Sequence, residues 1–296
     1  MENAMLIVNP SSGGEKGKVF EDDVREMLIS LGYDVIIRET EKEFDATHFA
    51  MEACERKLDF VVAMGGDGTI NEVVNGLASE SYRPKLGIIP LGTVNDFARA
   101  LHIPLKPKKA IELIRKSPQA TPVDIGKIND TYFMNIIAIG AIAEATFQVS
   151  VEQKSKLGPL AYLVEGVKSL AEEATFDIEI CADDEEITEK SMLVLVALTN
   201  SVGGFEKLAS DAEVDDGLMH IFIMKNLNAM EILNVVGSTI TGKLSDNENI
   251  IYKKYSQAKI SSTRELTANI DGDEGENLPL NLEVLPKHIH IVTGSE

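Results

Sequence analysis

The 296-residue chain holds 28 basic and 48 acidic residues, a formal net charge of −20, with 44% hydrophobic and 26% charged positions. That suits a globular protein of about two domains. It offers no basic footprint for nucleic acid and, at 5% aromatic with no Trp, no base-stacking platform.

Met1 to Val8 lacks the basic n-region of a signal peptide, and no apolar run approaches the roughly 20 residues needed to span a bilayer. Met5 to Val8 predicts a buried strand, followed by a glycine-rich turn and a helix from Val19 to Leu31 that Gly32 ends. Tyr33 to Arg38, Phe60 to Met64 and Leu86 to Pro90 predict further strands. Between and after them lie helices over Ala46 to Lys57, Ile70 to Ala78, Asp96 to Leu101 and Ala110 to Arg115. This alternation predicts a mainly parallel sheet covered on both faces.

After about Asp124 the texture changes. Strands are expected over Ile125 to Ile128, Tyr132 to Ile139, Phe176 to Cys181, Ser191 to Leu198 and Leu218 to Met224. More follow at Lys259 to Ser262, Leu266 to Ile270, Leu280 to Leu285 and His288 to Val292. Helices are expected over Leu160 to Glu173 and Ala229 to Thr241. The fold class is therefore an α/β domain with a Rossmann-like parallel sheet over residues 1–124, then an antiparallel β-sandwich over 125–296. The last strand is free to return to the first domain. Cys54 and Cys181, with no CxxC pair, predict two buried thiols in a reduced cytoplasmic protein.

Three strand ends run into loops rich in glycine and small polar residues. In an open parallel sheet such loops gather at the carboxyl edge, where ligands bind. The first is Asn9-Pro10-Ser11-Ser12-Gly13-Gly14, where glycines allow main-chain amides to approach a phosphate. The second is Gly65-Gly66-Asp67-Gly68-Thr69, continuing through Ile70, Asn71 and Glu72 into a helix whose N-terminus favours an anion. Asp67 beside phosphates would repel them without an intervening cation, which assigns it to Mg²⁺; the plainer role is a helix N-cap. The third is Pro90-Leu91-Gly92-Thr93-Val94-Asn95-Asp96, with Arg99 one turn on. Asn95 and Asp96 could cap a helix, orient a ligand, or both. The P-loop pattern and the dinucleotide fingerprint are both missing.

These motifs, in this order, resemble the catalytic domain of the soluble bacterial diacylglycerol kinases, relatives of sphingosine and ceramide kinases. The resemblance implies that ATP phosphates lie against Asn9 to Gly13 and Gly66 to Glu72, with contacts from Thr40 and Thr93. It implies a structural Mg²⁺ at Glu213-Val214-Asp215-Asp216-Gly217-Leu218, held by Glu213, Asp216 and the Leu218 carbonyl, with Asp215 adjacent and Asp124 in its outer shell. Seen alone, that segment is an ordinary turn. The family's Asp-Gly-Glu reads Asp271-Gly272-Asp273 here, followed by Glu274. The proton acceptor then falls on Asp273 or Asp271, in a run of acids that otherwise reads as a solvated turn.

The expected function is transfer of the ATP γ-phosphate to diacylglycerol, giving phosphatidate, in a cleft between the domains. The alternatives are a kinase for another lipid or a small hydroxyl compound, as in NAD kinases, and a nucleotide-binding regulator without turnover. The expected partners are a lipid, a peripheral membrane surface at the inner face of the membrane, and a second copy of the chain. Lys106, Lys108, Lys109, Arg115, Lys116, Lys253 and Lys254 are candidates for docking. Ser201 to Phe205 is a candidate cleft lining, and His288 with His290 a weak metal pair.

Overall fold

Ala4 to Val8 and Phe60 to Gly65 are buried at every position. Runs of that kind belong to strands covered on both faces. The computed structural model describes residues 2–117, 119–140, 175–183, 185–201 and 208–294. It divides into one unit of Met1–Ile125 with Pro286–Glu296 and another of Gly126–Leu285. Residues 160–173 and 202–205, expected as a helix and a cleft lining, lie outside the described residues.

In the first unit β1 (Glu2–Val8), α1 (Ser12–Ser30), β2 (Tyr33–Glu39), α2 (Asp45–Glu55), β3 (Phe60–Gly65), α3 (Asp67–Ala78) and β4 (Lys85–Pro90) alternate. Two helices, α4 (Asp96–Ala100) and α5 (Pro107–Lys116), then lead into β5 (Thr121–Ile128). β1 pairs in parallel with β2 and β3, and β3 pairs with β4. The returning chain adds a further parallel partner, Ile291 opposite Leu86 on β4. The order β2-β1-β3-β4 makes the chain reverse its winding between β1 and β3, and such switch points leave a crevice at the carboxyl ends of the strands.

Helices α1 and α3 begin well before the predicted Val19 and Ile70. Their first turns are polar and glycine-rich, so hydrophobic period does not reveal them. Gly66, not Asp67, is the N-cap of α3; Asp67 opens the helix itself.

In the second unit every recorded pairing is antiparallel. Its elements are β6 (Thr131–Phe133), β7 (Ile136–Gly140), β8 (Phe176–Ala182), β9 (Glu185–Ala197), β10 (Met219–Lys225) and α6 (Ala229–Thr241). They continue through β11 (Ile250–Tyr255), β12 (Gln257–Ser262), β13 (Thr267–Ile270), β14 (Asp273–Asn277) and the start of β15 (Leu280–Ile291).

The long strand β9 is its spine. Glu185 to Ser191 pair with β8, while Leu193 to Ala197 run between β7 and β10. Alternation then makes two cores. Val194, Val196, Ile221 and Ile223 enter one, and Leu193, Ala197, Phe222 and Met224 enter the other, beside Ile232 and Val235 of α6. That helix starts on a capping box of Asn228 and Glu231 and stops at Gly242 in the left-handed region.

Four expectations change. The strand expected over Tyr132 to Ile139 divides into β6 and β7. Cys181 is exposed, because in β8 it falls on the outward set of the alternating pattern; Cys54 is buried, and burial pushes its thiol up to about 12. β11 and β14 are additional strands. Lys253 and Lys254 break the apolar signal of the first, and the second, Asp-Glu-Gly-Glu-Asn, has none. Leu280–Ile291 is one strand passing through Pro286 rather than two.

His288 pins the returning segment to the first unit. Its Nε2 donates to the Ala78 carbonyl at the end of α3 (2.9 Å), and Arg83 donates through Nε to the His288 carbonyl (2.8 Å) and through Nη2 to Nδ1 (3.4 Å). These partners require the neutral ring. Burial above all, with Arg83 adding, holds its pKa below the ordinary value of 6.5 although the Ala78 bond opposes them. Below about pH 6.5 an unfolded histidine takes a proton that the folded one refuses, so this contribution to stability is present above that pH and lost as pH falls. Thermal melts should show Tm declining between pH 7 and pH 5, and a shallower decline in His288→Gln. An identical slope in the variant would remove His288 from the account.

Candidate active site

The three glycine-rich loops meet at the carboxyl edge of the first sheet. Main-chain bonds lace their roots together: Asn9 N–H donates to Met64 O (2.9 Å), Leu91 N–H to Gly65 O (2.8 Å), and Thr40 N–H to Val8 O (2.9 Å). Side chains join the first loop to the second, since Asn9 Nδ2 donates to Thr69 Oγ1 (3.0 Å) while Asn9 Oδ1 takes the amide (3.1 Å) and hydroxyl (2.8 Å) of Ser11.

Asp67 joins the second loop to the third. Its Oδ2 accepts from the backbone N–H of Asn95 (2.8 Å), and the Asp96 amide also donates to its carboxylate. Asn95 sits at φ 54° and clips its own loop shut, Oδ1 accepting from Gly92 N–H (2.9 Å) and Nδ2 donating to Gly92 O (2.8 Å). Only glycine fits at 92, because a Cβ there would lie 2.7 Å from Asn95 Oδ1 and 3.0 Å from Gly66 Cα. Gly13, at φ +62°, similarly abuts the Leu91 carbonyl oxygen.

Burial chiefly, with Asp96 adding repulsion, holds the Asp67 carboxyl above its usual range against the opposing amide bonds. An anion in that position is stabilised by a nearby cation, and hard carboxylate oxygens suit Mg²⁺.

A cavity of about 250 Å³ opens beside these loops, lined by Asn9, Ser11, Thr40, Thr69 and Glu72 together with Glu41, Lys42, Glu43 and Ala46. The segment 41–46 had no role in the sequence reading. It is held in shape by Asp45 Oδ2, which accepts the amides of Glu41 (2.9 Å) and Lys42 (3.0 Å). Glu72 Oε2 accepts from Ala46 N–H (3.1 Å), so it holds the start of α2 as well as lining the cavity. Ile70 is buried in the core, which leaves only its backbone for a ligand. Pro10 and Ser12 are half-buried, Gly68 and Thr93 exposed, and Asn71 accepts from Asn75 Nδ2 (3.0 and 3.1 Å). Arg99 Nε donates to the Val94 carbonyl (2.9 Å), closing the outer side of the third loop.

The acidic residues of the second unit separate by environment. Asp271, at φ 51°, turns its carboxylate onto three successive amides, those of Met134 (2.8 Å), Asn135 (2.9 Å) and Ile136 (2.9 Å). Asp273 opens β14 with its side chain exposed, and Glu274 is exposed next to it.

In the acidic turn, Asp216 accepts from Leu218 N–H (2.9 Å) and Glu213 N–H (3.4 Å), and its Oδ2 lies 3.0 Å from His220 Nε2. Glu213 and Asp215 are exposed. Asp124 belongs to the first unit, where it is buried and accepts from Lys287 N–H (2.6 Å). No group of three acidic, His or Cys side chains gathers in ligating geometry among the described residues. The oxygen set of the turn nevertheless suits a hard cation, as Asp216 Oδ1, which accepts from Leu218 N–H, keeps a second lone pair. His288 and His290 make no metal pair, since His288 has both ring nitrogens engaged.

Residues 3–128 match the model of the diacylglycerol kinase catalytic domain, and residues 135–293 match that of the YegS C-terminal NAD kinase beta sandwich-like domain. Over 297 aligned residues the chain is 41% identical to the diacylglycerol kinase of Bacillus subtilis (strain 168), covering 100% of this chain and 98% of that one. The chain belongs to the diacylglycerol kinase family. The relative from Staphylococcus haemolyticus (strain JCSC1435), also a diacylglycerol kinase, is 41% identical over 98% of this chain and 88% of its own. The crystal structure of a diacylglycerol kinase from Bacillus anthracis str. Sterne superposes with a TM-score of 0.84 at 29% identity, covering 99% of this chain and 97% of that one. Family membership thus agrees with the parallel sheet followed by an antiparallel sandwich.

Asp271 and Asp273 should respond oppositely to amidation. Asp271→Asn sets an NH₂ group against amide donors and should cost about 1–3 kcal/mol of stability, read as a lower urea midpoint. Asp273→Asn should leave the midpoint unchanged. Equal effects on the two would contradict this division.

Proposed function

We propose that the chain is an ATP- and Mg²⁺-dependent lipid kinase that phosphorylates diacylglycerol to phosphatidate by direct in-line transfer. The observation that carries this reading is the contact of three amide-rich loops around a half-buried carboxylate at a sheet switch point. The backbone amides of Asn9 to Gly13 and of Gly66 to Glu72, with the hydroxyls of Thr40 and Thr93, bind the phosphates. Gly13 and Gly92 let the loops approach closely, Gly65 makes room for Thr69, and Asn95 holds the third loop shut.

Asp67 would hold the catalytic Mg²⁺, directly or through water, and Glu213, Asp216 and the Leu218 carbonyl a structural one, with Asp215 and Asp124 as outer partners. An ion held there would supply neutralising charge for the phosphates. Asp273 accepts the proton of the acceptor hydroxyl, because Asp271 has its carboxylate committed to the 134–136 amides. Catalysis in such a transfer comes from positioning and charge neutralisation. The unit of Met1–Ile125 with Pro286–Glu296 supplies the nucleotide site and Gly126–Leu285 the sandwich.

The lipid is met at a membrane surface by a cytoplasmic protein. No described helix is long and apolar enough to cross a bilayer. Helix α5 buries Ala110, Ile111 and Ile114 and leaves Lys108, Lys109, Arg115 and Lys116 exposed, with Glu112 between them. In a chain of net charge −20 this face is a local exception suited to anionic headgroups.

Two experiments test these points. In a vesicle assay with labelled ATP, Asp67→Ala should abolish phosphatidate formation while still unfolding cooperatively, at a lower midpoint because the Asn95 amide loses its acceptor, and Asp273→Asn at saturating ATP should lower kcat by about 10²-fold or more. Normal turnover in Asp67→Ala would refute the metal role. Product formed only with water-soluble acceptors would point to the NAD-kinase-like alternative, and ATP binding without product to a regulator. The triple variant Lys108→Glu, Lys109→Glu, Lys116→Glu should lose sedimentation with phosphatidylglycerol vesicles yet turn over short-chain diacylglycerol normally. Unchanged sedimentation would exclude α5 as the docking face.

A further inference from the structure

The second unit contains a relay of three side chains beneath the Glu213–Leu218 turn. His220 on β10 has a side chain that is 0% exposed. Its Nε2 lies 3.0 Å from Asp216 Oδ2, and its Nδ1 lies 2.7 Å from the Tyr252 hydroxyl on β11. A carboxylate only accepts, so Nε2 carries the hydrogen, and in the neutral ring Nδ1 accepts a hydrogen bond from the Tyr252 hydroxyl. Tyr252 is itself fixed. It pairs across the strands with Phe222, and the two rings stack with centroids 4.8 Å apart at 25°.

Packing alone does not account for this histidine. Phe222 and Met224, on the same side of β10, are apolar and belong to the core beside α6. Burying an imidazole among them is unfavourable unless both nitrogens find partners. An apolar residue would fill the site without that requirement. What the imidazole supplies, and an apolar residue would not, is an N–H directed at Asp216.

A carboxylate on a turn ordinarily samples several rotamers. Here Oδ2 is held from within by His220, and Oδ1 accepts from Leu218 N–H at 2.9 Å, across Gly217 at φ +75°. Oδ2 also takes the Glu213 N–H at 3.4 Å, so the lone pair left for an ion is on Oδ1. The turn is thereby shaped before any ion arrives, which spares the ordering cost of binding.

We infer that His220 and Tyr252 are positioning residues that hold the Asp216 carboxylate in the orientation from which it takes a divalent cation. This rests on the cation reading of the 213–218 turn given above. It assigns the relay to outer-shell control of a ligand, whose loss typically weakens metal binding about 10–100-fold.

The test uses the full-length chain with metal ions alone. Mn²⁺ titration followed by electron paramagnetic resonance gives affinity, and thermal melts in Mg²⁺ against EDTA give the stabilisation on binding. Asp216→Asn marks the signal that belongs to the turn. His220→Leu should weaken the Asp216-dependent Mn²⁺ affinity at least about tenfold and erase the Mg²⁺ increment in Tm. His220→Gln, which keeps an N–H donor near the Nε2 position, should recover most of both, and Tyr252→Phe should lose part.

A purely structural histidine would lower the EDTA melt while leaving the affinity of the folded protein unchanged, and that result overturns the inference. Should His220→Leu fail to fold, wild-type affinity in Tyr252→Phe, or no affinity above background in His220→Gln, has the same force. Binding unaffected by Asp216→Asn would sink the cation reading of the turn and this inference with it. Binding that needs Asp216 but not His220 sinks the relay alone.

Discussion

The tie between Asp67 and the amides of Asn95 and Asp96 fixes the relation between the second and third loops. It places a carboxylate where water cannot solvate it freely, and the burial is tolerated because backbone donors take its oxygens. The bond reaches across 28 residues of sequence and brings Gly92 so close to Gly66 that a Cβ at 92 would lie 3.0 Å from Gly66 Cα. A larger group at Gly92 would part the two loops. The Asp67 carboxylate, held by those amides beside Asp96, sits where a cation would be stabilised.

Much of this was legible in the sequence because strand, glycine loop and helix follow one another in the same order three times. The apolar run Phe60 to Met64 predicts a strand buried on both faces, and the structure leaves each of its residues buried. The boundaries of α1 and α3 were not legible, since hydrophobic spacing is silent over a polar first turn. Nor was β14, a strand of acids, glycine and asparagine whose place comes from pairing with β13 rather than from its own preference. Cys181 shows the limit of composition. Cysteine is usually buried, but strand alternation decided otherwise.

The acids of Ile270 to Glu274 look interchangeable as letters. Backbone geometry separates them. Asp271 lies in the left-handed region, and from there it reaches three amides more than 130 residues earlier in the chain. Asp273 faces solvent at the start of an edge strand. No pattern in one sequence distinguishes a carboxylate that braces a loop from one that is left exposed. The same holds for Glu72, which belongs to the second motif by position and to the start of α2 by its hydrogen bond. His220 escaped notice for a related reason, because its partners Asp216 and Tyr252 come together only once β10 and β11 have paired.

The surplus of acid in this chain is thus partly an internal resource. Asp59, Asp67, Asp124, Asp216 and Asp271 each accept a main-chain N–H, and Asp45 and Glu72 do so around α2. Loops that surround a ligand have amides without helix or sheet partners, and an unpaired buried amide costs about 1–3 kcal/mol. A short carboxylate satisfies such donors while adding little bulk, and one carboxylate can serve several at once. The bonds are also charge-assisted, and therefore stronger than neutral ones. A protein that must keep glycine-rich loops rigid without filling the space they enclose gains from this arrangement. Replacing these acids by amides would keep the volumes while setting donor against donor. The charge of −20 accordingly reflects loop construction as well as the character of the surface.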